Sequence, residues 1–302
     1  MSGIICYSTI IIDNYVTLRN CLFYNNSAES GGPPIRNNAN GTISNCWIFN
    51  NICTYPYPTI RNFGIINNCS IYRNIDQWYE ARAKIMNVGI VQNFLIYGNH
   101  GTGIIMDFGT VSNCTVFGNI TSVSEYAGGI ALIEEGTVSN CIIWNNYNGS
   151  PDKGDVSIMD PVDIKIQYSC YGDAPDENGN IDDDPMFMNA ELWDINNWNF
   201  RLKDESPCID AGDPDVKFND GCLPPGKEKD RNDMGAYGGP GNCVWPFVIG
   251  KKDLIQYFLG KISVSGEDLE FFDINKDGVV NIADFLLLIK YFPKSTIPFP
   301  IP

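Results

Sequence analysis

Leu18-Arg19-Asn20-Cys21-Leu22-Phe23-Tyr24-Asn25-Asn26 opens a pattern that returns at residues 43–51, 66–74, 91–99, 111–119 and 138–146. Each copy reads aliphatic-x-Asn-Cys-x-[Ile/Phe/Val]-aromatic-x-Asn, with a single departure, Phe94 in the cysteine column. The seventh column holds Tyr24, Phe49, Tyr72, Tyr97, Phe117 and Trp144. The ninth holds Asn26, Asn51, Asn74, Asn99, Asn119 and Asn146, with successive gaps of 25, 23, 25, 20 and 27. A β-rich period that varies in this way fits a parallel β-helix. Its turns can lengthen freely while its short strands stack about 4.8 Å apart, so that equivalent residues sit above one another. Buried columns then become ladders of aliphatic, cysteine and aromatic side chains. Asparagine suits the corners, since it tolerates left-handed backbone and its amide can bond to the next coil. Leucine columns and helical spacing, the marks of other solenoids, are missing from the pattern.

These columns resemble the right-handed parallel β-helix family, and Gly128-Gly129-Ile130 resembles the glycine-rich half of bacterial surface β-helix repeats. The resemblance implies a mainly β solenoid over residues 1–163. Because the first coil begins almost at Met1 with no visible cap, the chain is expected to be the C-terminal part of a longer exported protein.

From residue 164 the repeat decays through Tyr168-Ser169-Cys170 into an acidic, loop-rich stretch. It contains Asp182-Asp183-Asp184-Pro185, Ser206-Pro207-Cys208-Ile209-Asp210-Ala211-Gly212 and Asp230-Arg231-Asn232-Asp233-Met234-Gly235-Ala236-Tyr237-Gly238-Gly239. This order is similar to the choice-of-anchor segments that end many secreted bacterial β-helix proteins. Residues 164–241 are therefore expected to close the C-terminal end of the solenoid. Asp182, Asp183 and Asp184 are candidate metal or catalytic carboxylates, with a solvated turn as the plainer reading.

Residues 273–284 read Asp-Ile-Asn-Lys-Asp-Gly-Val-Val-Asn-Ile-Ala-Asp. Asp273, Asn275, Asp277, Asn281 and Asp284 place oxygen side chains at loop positions 1, 3, 5, 9 and 12, and Val279 can offer its carbonyl at position 7. Calcium takes six to eight hard oxygen ligands, and this spacing supplies them from one loop with Gly278 at the sharp turn. An apolar helix is expected to follow and to end at Pro293. Aspartate at position 12 makes the segment resemble a type I dockerin, implying a small all-α EF-hand-like module over residues 242–302. The resemblance also implies a cohesin-like or cell-surface partner for residues 242–293. An upstream copy would put its ligand positions on Asn242, Val244 and Pro246, which cannot hold calcium together. One ion per chain is expected.

The 302 residues carry a formal net charge of −16. Eight acids and six bases in residues 1–150 leave −14 for the remainder. Such a surface repels phosphate backbones and anionic lipid, which speaks against nucleic acid and membrane surfaces as partners. No run approaches the roughly 20 apolar residues of a membrane span. Of eleven cysteines five sit in one repeat column, and Cys222 and Cys243, outside it, are the expected disulfide.

Acids in the coils are scattered (Asp13, Glu29, Asp76, Glu80, Asp107, Glu125, Glu134 and Glu135), as are Arg19, Arg36, Arg61, Arg73, Arg82 and Lys84. The single histidine, His100, follows a ladder asparagine, where a solvated turn is the expected setting. Exposed aromatics such as Trp78, Tyr79, Tyr55 and Tyr57 could stack on sugar rings. No pair of carboxylates is set up for glycoside chemistry. The favoured function is a non-catalytic, carbohydrate-associated β-helix outside the cell or at its surface, with a polysaccharide ligand on its face and a calcium-dependent tether. The alternative is a polysaccharide lyase or glycoside hydrolase of the pectate-lyase-like class.

Overall fold

A computed structural model of the chain describes residues 12–28, 35–53, 57–76, 83–149, 154–159, 164–191, 198–222, 226 and 231–244. The chain divides into two compact units, residues 1–186 with 202–245, and residues 187–201 with 246–302. Phe187–Asn189 pairs with Asn199–Leu202, and within the second unit the rings of Phe187 and Trp198 meet Phe200 edge-on at 5.3 and 5.8 Å.

The first unit is a parallel β-solenoid. One sheet stacks seven strands in order: Ile12–Asn14, Ile35–Asn37, Ile60–Asn62, Ile85–Asn87, Ile104–Met106, Ile130–Leu132 and Val156–Ile158. A second, twelve-stranded sheet is built from the repeat itself. Its two tracks merge where Ile90–Tyr97 and Thr110–Phe117 run without a break. A short third sheet joins Ser27–Ala28, Ile52–Cys53 and Ile75–Asp76, and single bridges through His100, Ile120 and Tyr147 prolong it. Among the described residues helix is confined to two 3-10 turns, Val216–Phe218 and Asn242–Val244.

Equivalent positions of the repeat pair in register, as in Val91 with Val111 and Tyr97 with Phe117. The interior is lined by three repeat columns: Ile43, Ile66, Val91, Val111 and Val138; Cys46, Cys69, Phe94, Cys114 and Cys141; and Ile48, Ile71, Ile96, Val116 and Ile143. The first sheet adds Ile35, Ile60, Ile85, Ile104 and Ile130. Each fully buried aliphatic side chain stabilises by about 1.5–3 kcal/mol. The cysteine column is an interior ladder of free thiols, with Cys21 half-buried at its end. Ser169 continues the column, and its hydroxyl accepts the Cys141 N–H at 3.2 Å.

The aromatic column does not join this interior. Side chains alternate across a strand, so with the sixth column inward the seventh points to the other face. There Tyr24, Phe49, Tyr72 and Tyr97 stack face to face, with centroids 5.2, 5.0 and 4.9 Å apart. The corners also divide labour that the sequence reading had merged. Left-handed backbone falls on the third and eighth columns, from Asn20 at φ 55° and Asn25 at φ 56° to Asn140 at φ 55° and Asn145 at φ 56°. The ninth column forms an amide ladder. Asn26 donates to Asn51, and so on through Asn74, Asn99, Asn119 and Asn146, at 2.8–3.1 Å. The ladder ends on Asp155, which takes the Asn146 N–H and amide at 2.8 and 2.9 Å. A terminal rung needs only to accept, and a carboxylate does that.

Candidate functional site

The segment expected to close the solenoid supplies one further coil and then turns back along the flank. In that coil Ile181 bridges Cys170 and the Asn180 amide oxygen accepts the Ser169 N–H at 3.1 Å. Residues 208–222 and 231–242 then form a strap held by the third-column asparagines. The Asn140 amide oxygen accepts the Asp213 N–H at 2.7 Å. Asn113 donates to the Asn232 side chain at 2.9 Å, Asn93 to the carbonyls of Ala236 and Gly238 at 3.2 and 2.7 Å, and Asn68 to that of Gly241 at 3.0 Å. As the strap advances from residue 213 to 241 its partners step back from 140 to 68, so it runs against the order of the coils. Three residues of the 231–239 motif are thereby accounted for. Asn232 pairs with Asn113. The Ala236 N–H donates to the Thr115 hydroxyl at 3.0 Å. Gly235, at φ 94°, lies so close to Thr115 and Ile142 that a Cβ would come within 2.9 Å of both side chains.

Inside the strap three carboxylates converge. The Asp220 carboxylate accepts the N–H groups of Gly239 and Asp233, and that of Asp233 accepts the Asp210 N–H at 2.8 Å. Burial, reinforced by the charges of Asp233 and Asp210, pushes the Asp220 carboxyl up to about 8. Cys222 and Cys243 form the expected disulfide. Beside it Asn242 is fully buried, its amide spent on the Cys222 N–H and carbonyl and on the Tyr237 carbonyl at 2.8, 3.1 and 2.9 Å. The first ligand position of the upstream calcium-loop copy is thus committed to the strap.

On the first sheet the middle residue of each strand faces out, running in register through Asp13, Arg36, Arg61, Met86, Ile105, Ala131 and Ser157. Ile105 and Ala131 are buried with Ala83 beneath Tyr126 and Ile133. At Arg36 and Arg61 the column opens into a recess of about 440 Å³ lined by Arg36, Asn38, Ala39, Arg61 and Phe63. The Arg61 guanidinium lies 5.2 Å from the Phe63 ring centroid. The Nε atoms of both arginines are buried without a hydrogen-bond partner. The neighbouring Asp13 carboxylate is engaged by the Asn38 amide at 2.5 Å and the Tyr15 hydroxyl at 3.3 Å. The sequence reading counted these arginines only as scattered bases. An Ile-Arg-Asn triplet at 35–37 and again at 60–62 was the signal for them.

The remaining candidates are not brought together. Asp182, Asp183 and Asp184 are exposed, and the Asp184 carboxylate accepts the Met186 N–H at 2.8 Å, as in an ordinary turn. His100 is exposed and Lys84 fully buried. Tyr57 is exposed, whereas Tyr55, Trp78 and Tyr79 lie outside the described residues. A second amide ladder, Asn14–Asn37–Asn62–Asn87 at 2.7–2.8 Å, went unread although Ile-x-Asn recurs at the same period.

The calcium-loop residues Asp273, Asn275, Asp277, Val279, Asn281 and Asp284 also lie outside the described residues. Their donor set, carboxylate, amide and carbonyl oxygen throughout, is the kind a hard cation selects. No curated protein is matched by the chain. Residues 253–293 match the family described as Dockerin type I domain, and dockerins in general bind calcium and pair with cohesins. The match begins beyond Asn242, past the strap. Residues 253–293 thus match a type I dockerin domain, and the described coils of the first unit form a parallel β-solenoid.

Proposed function

We propose that this chain is a non-catalytic β-solenoid, held outside the cell or at its surface by a calcium-dependent dockerin–cohesin contact, with an outer solenoid face presented to polysaccharide. The observation that carries the reading is the dockerin match at residues 253–293 together with the ligand spacing of residues 273–284. One ion is held by Asp273, Asn275, Asp277, the Val279 carbonyl, Asn281 and Asp284. Bound there, calcium neutralises three aspartates that would otherwise repel one another in a tight loop. The Cys222–Cys243 disulfide supports an oxidising compartment, where such bonds persist.

The test is titration of the full chain with calcium and then with a type I cohesin. One ion per chain, cohesin binding lost on chelation, and loss of both in Asp273→Ala/Asp284→Ala are expected. Calcium binding that survives the double substitution would refute the loop, and cohesin binding that ignores chelation would refute the tether.

A further inference from the structure

We propose that Arg36 and Arg61 form a binding site for the oxyanion of an acidic saccharide, a carboxylate or sulfate ester carried on a sugar ring. The site gives the polysaccharide-facing part of the functional reading a location and a ligand class. It rests on that part alone and stands whether or not cohesin binds.

The two guanidiniums occupy adjacent rungs of one outward column, in register and about 4.8 Å apart along the backbone. Like charges at that spacing repel, and in a chain of net charge −16 an acidic neighbour would have been easy to supply. Among the described residues neither arginine has an ion pair, and the nearest rung, Asp13, has its carboxylate turned to Asn38 and Tyr15. Each Nε–H is buried and unanswered. A buried donor without an acceptor is costly to keep, and a positively charged one more so. An oxyanion entering the recess that both arginines line pairs with the two guanidinium charges and offsets the repulsion. Guanidinium forks match the planar geometry of a carboxylate and the oxygens of a sulfate.

The rest of the recess argues for a sugar carrying the anion. Its volume, about 440 Å³, lies in the range of small-molecule sites. Phe63 offers a ring beside Arg61, and Asn38 a polar side chain at the rim. Towards the later coils Met86 replaces arginine, and beyond it the column is closed over by the Ile105–Ala131 cluster. The charge is therefore confined to two rungs, which fixes the anion.

The experiment is calorimetric titration of the intact protein with three probes: a trigalacturonate, a neutral trisaccharide of the same length, and inorganic phosphate. Arg36→Gln, Arg61→Gln and the double variant are compared with Met86→Gln, and the far-ultraviolet circular dichroism of each reports that the solenoid is intact. Trigalacturonate is expected to bind and the neutral sugar not. Each arginine substitution should weaken binding by about tenfold or more, as loss of a charge-assisted hydrogen bond does, while Met86→Gln leaves it unchanged. Added salt should weaken it further. Equal binding of the neutral sugar, undiminished binding by the double variant, or no acidic-sugar binding at concentrations of about 10 mM would each overturn the proposal. Phosphate bound as tightly as trigalacturonate would show an adventitious ion only and overturn the saccharide assignment. Cohesin titration of the same variants should be unchanged, which separates failure here from failure of the tether.

Discussion

Replacing Asn99 by alanine removes one rung from the middle of the ninth-column ladder. Its amide oxygen accepts the Asn74 N–H and side-chain amide at 3.0 and 3.1 Å, and its own amide donates to the Ile71 carbonyl and the Asn119 oxygen at 3.0 and 2.8 Å. The Asn74 side chain keeps other partners, the carbonyls of Ile48 and Tyr72. The Asn74 N–H loses its acceptor inside the protein, at a cost of about 1–3 kcal/mol, and the lost side-chain bonds add about 0.5–1.5 kcal/mol each. A total of about 3–5 kcal/mol follows, large against the usual net stability of about 5–15 kcal/mol. At about 2–4 °C per kcal/mol for a unit of this size, Tm should fall by about 6–20 °C. Hydrogen exchange should show the loss of protection centred on Asn74 and the coils that flank it, because coils contact only their neighbours. A Tm shift below about 2 °C with the Asn74 amide still protected would refute the ladder as a stabilising device.

The strap should be sensitive to pH. The Asp220 carboxyl is raised in the folded protein to about 8, above the ordinary value near 4. The native state then holds a proton that the unfolded state has released, so this contribution is complete below pH about 4 and is lost as pH rises towards 8. Urea unfolding at pH 5 and 8 should show the decline in the wild type and a shallower one in Asp220→Asn; equal slopes would contradict it. Cys46, Cys69, Cys114 and Cys141 should resist thiol reagents without denaturant, and Cys21, half-buried, should react first among the repeat cysteines. Fast labelling of Cys69 or Cys114, whose thiols burial holds well above their usual range, would contradict the inward column. Reducing Cys222–Cys243, 21 residues apart, should cost up to about 3 kcal/mol. It should raise hydrogen exchange in residues 231–242 first, and uniform loosening of every coil would count against a strap pinned by that bond.

What the sequence determined was whatever repeats along the chain. Inward aliphatics, the cysteine column and the coil register were legible because stacking at one strand spacing forces like residues to recur at one position. The proposed calcium loop rests on the sequence alone, where all its candidate ligands fall within twelve residues. Tertiary structure alone decided the facing of the aromatic column, since period-2 alternation assigns sides only once one column is known to be inside. It alone decided that Asp210, Asp220 and Asp233 share one buried cluster, and that residues 213–241, where described, run back along asparagines 73 to 173 positions away. It alone showed that Arg36 and Arg61, 25 residues apart in the chain, are adjacent rungs. Those contacts depend on where non-repeating segments cross a repeating surface, and no periodicity in the chain encodes that crossing.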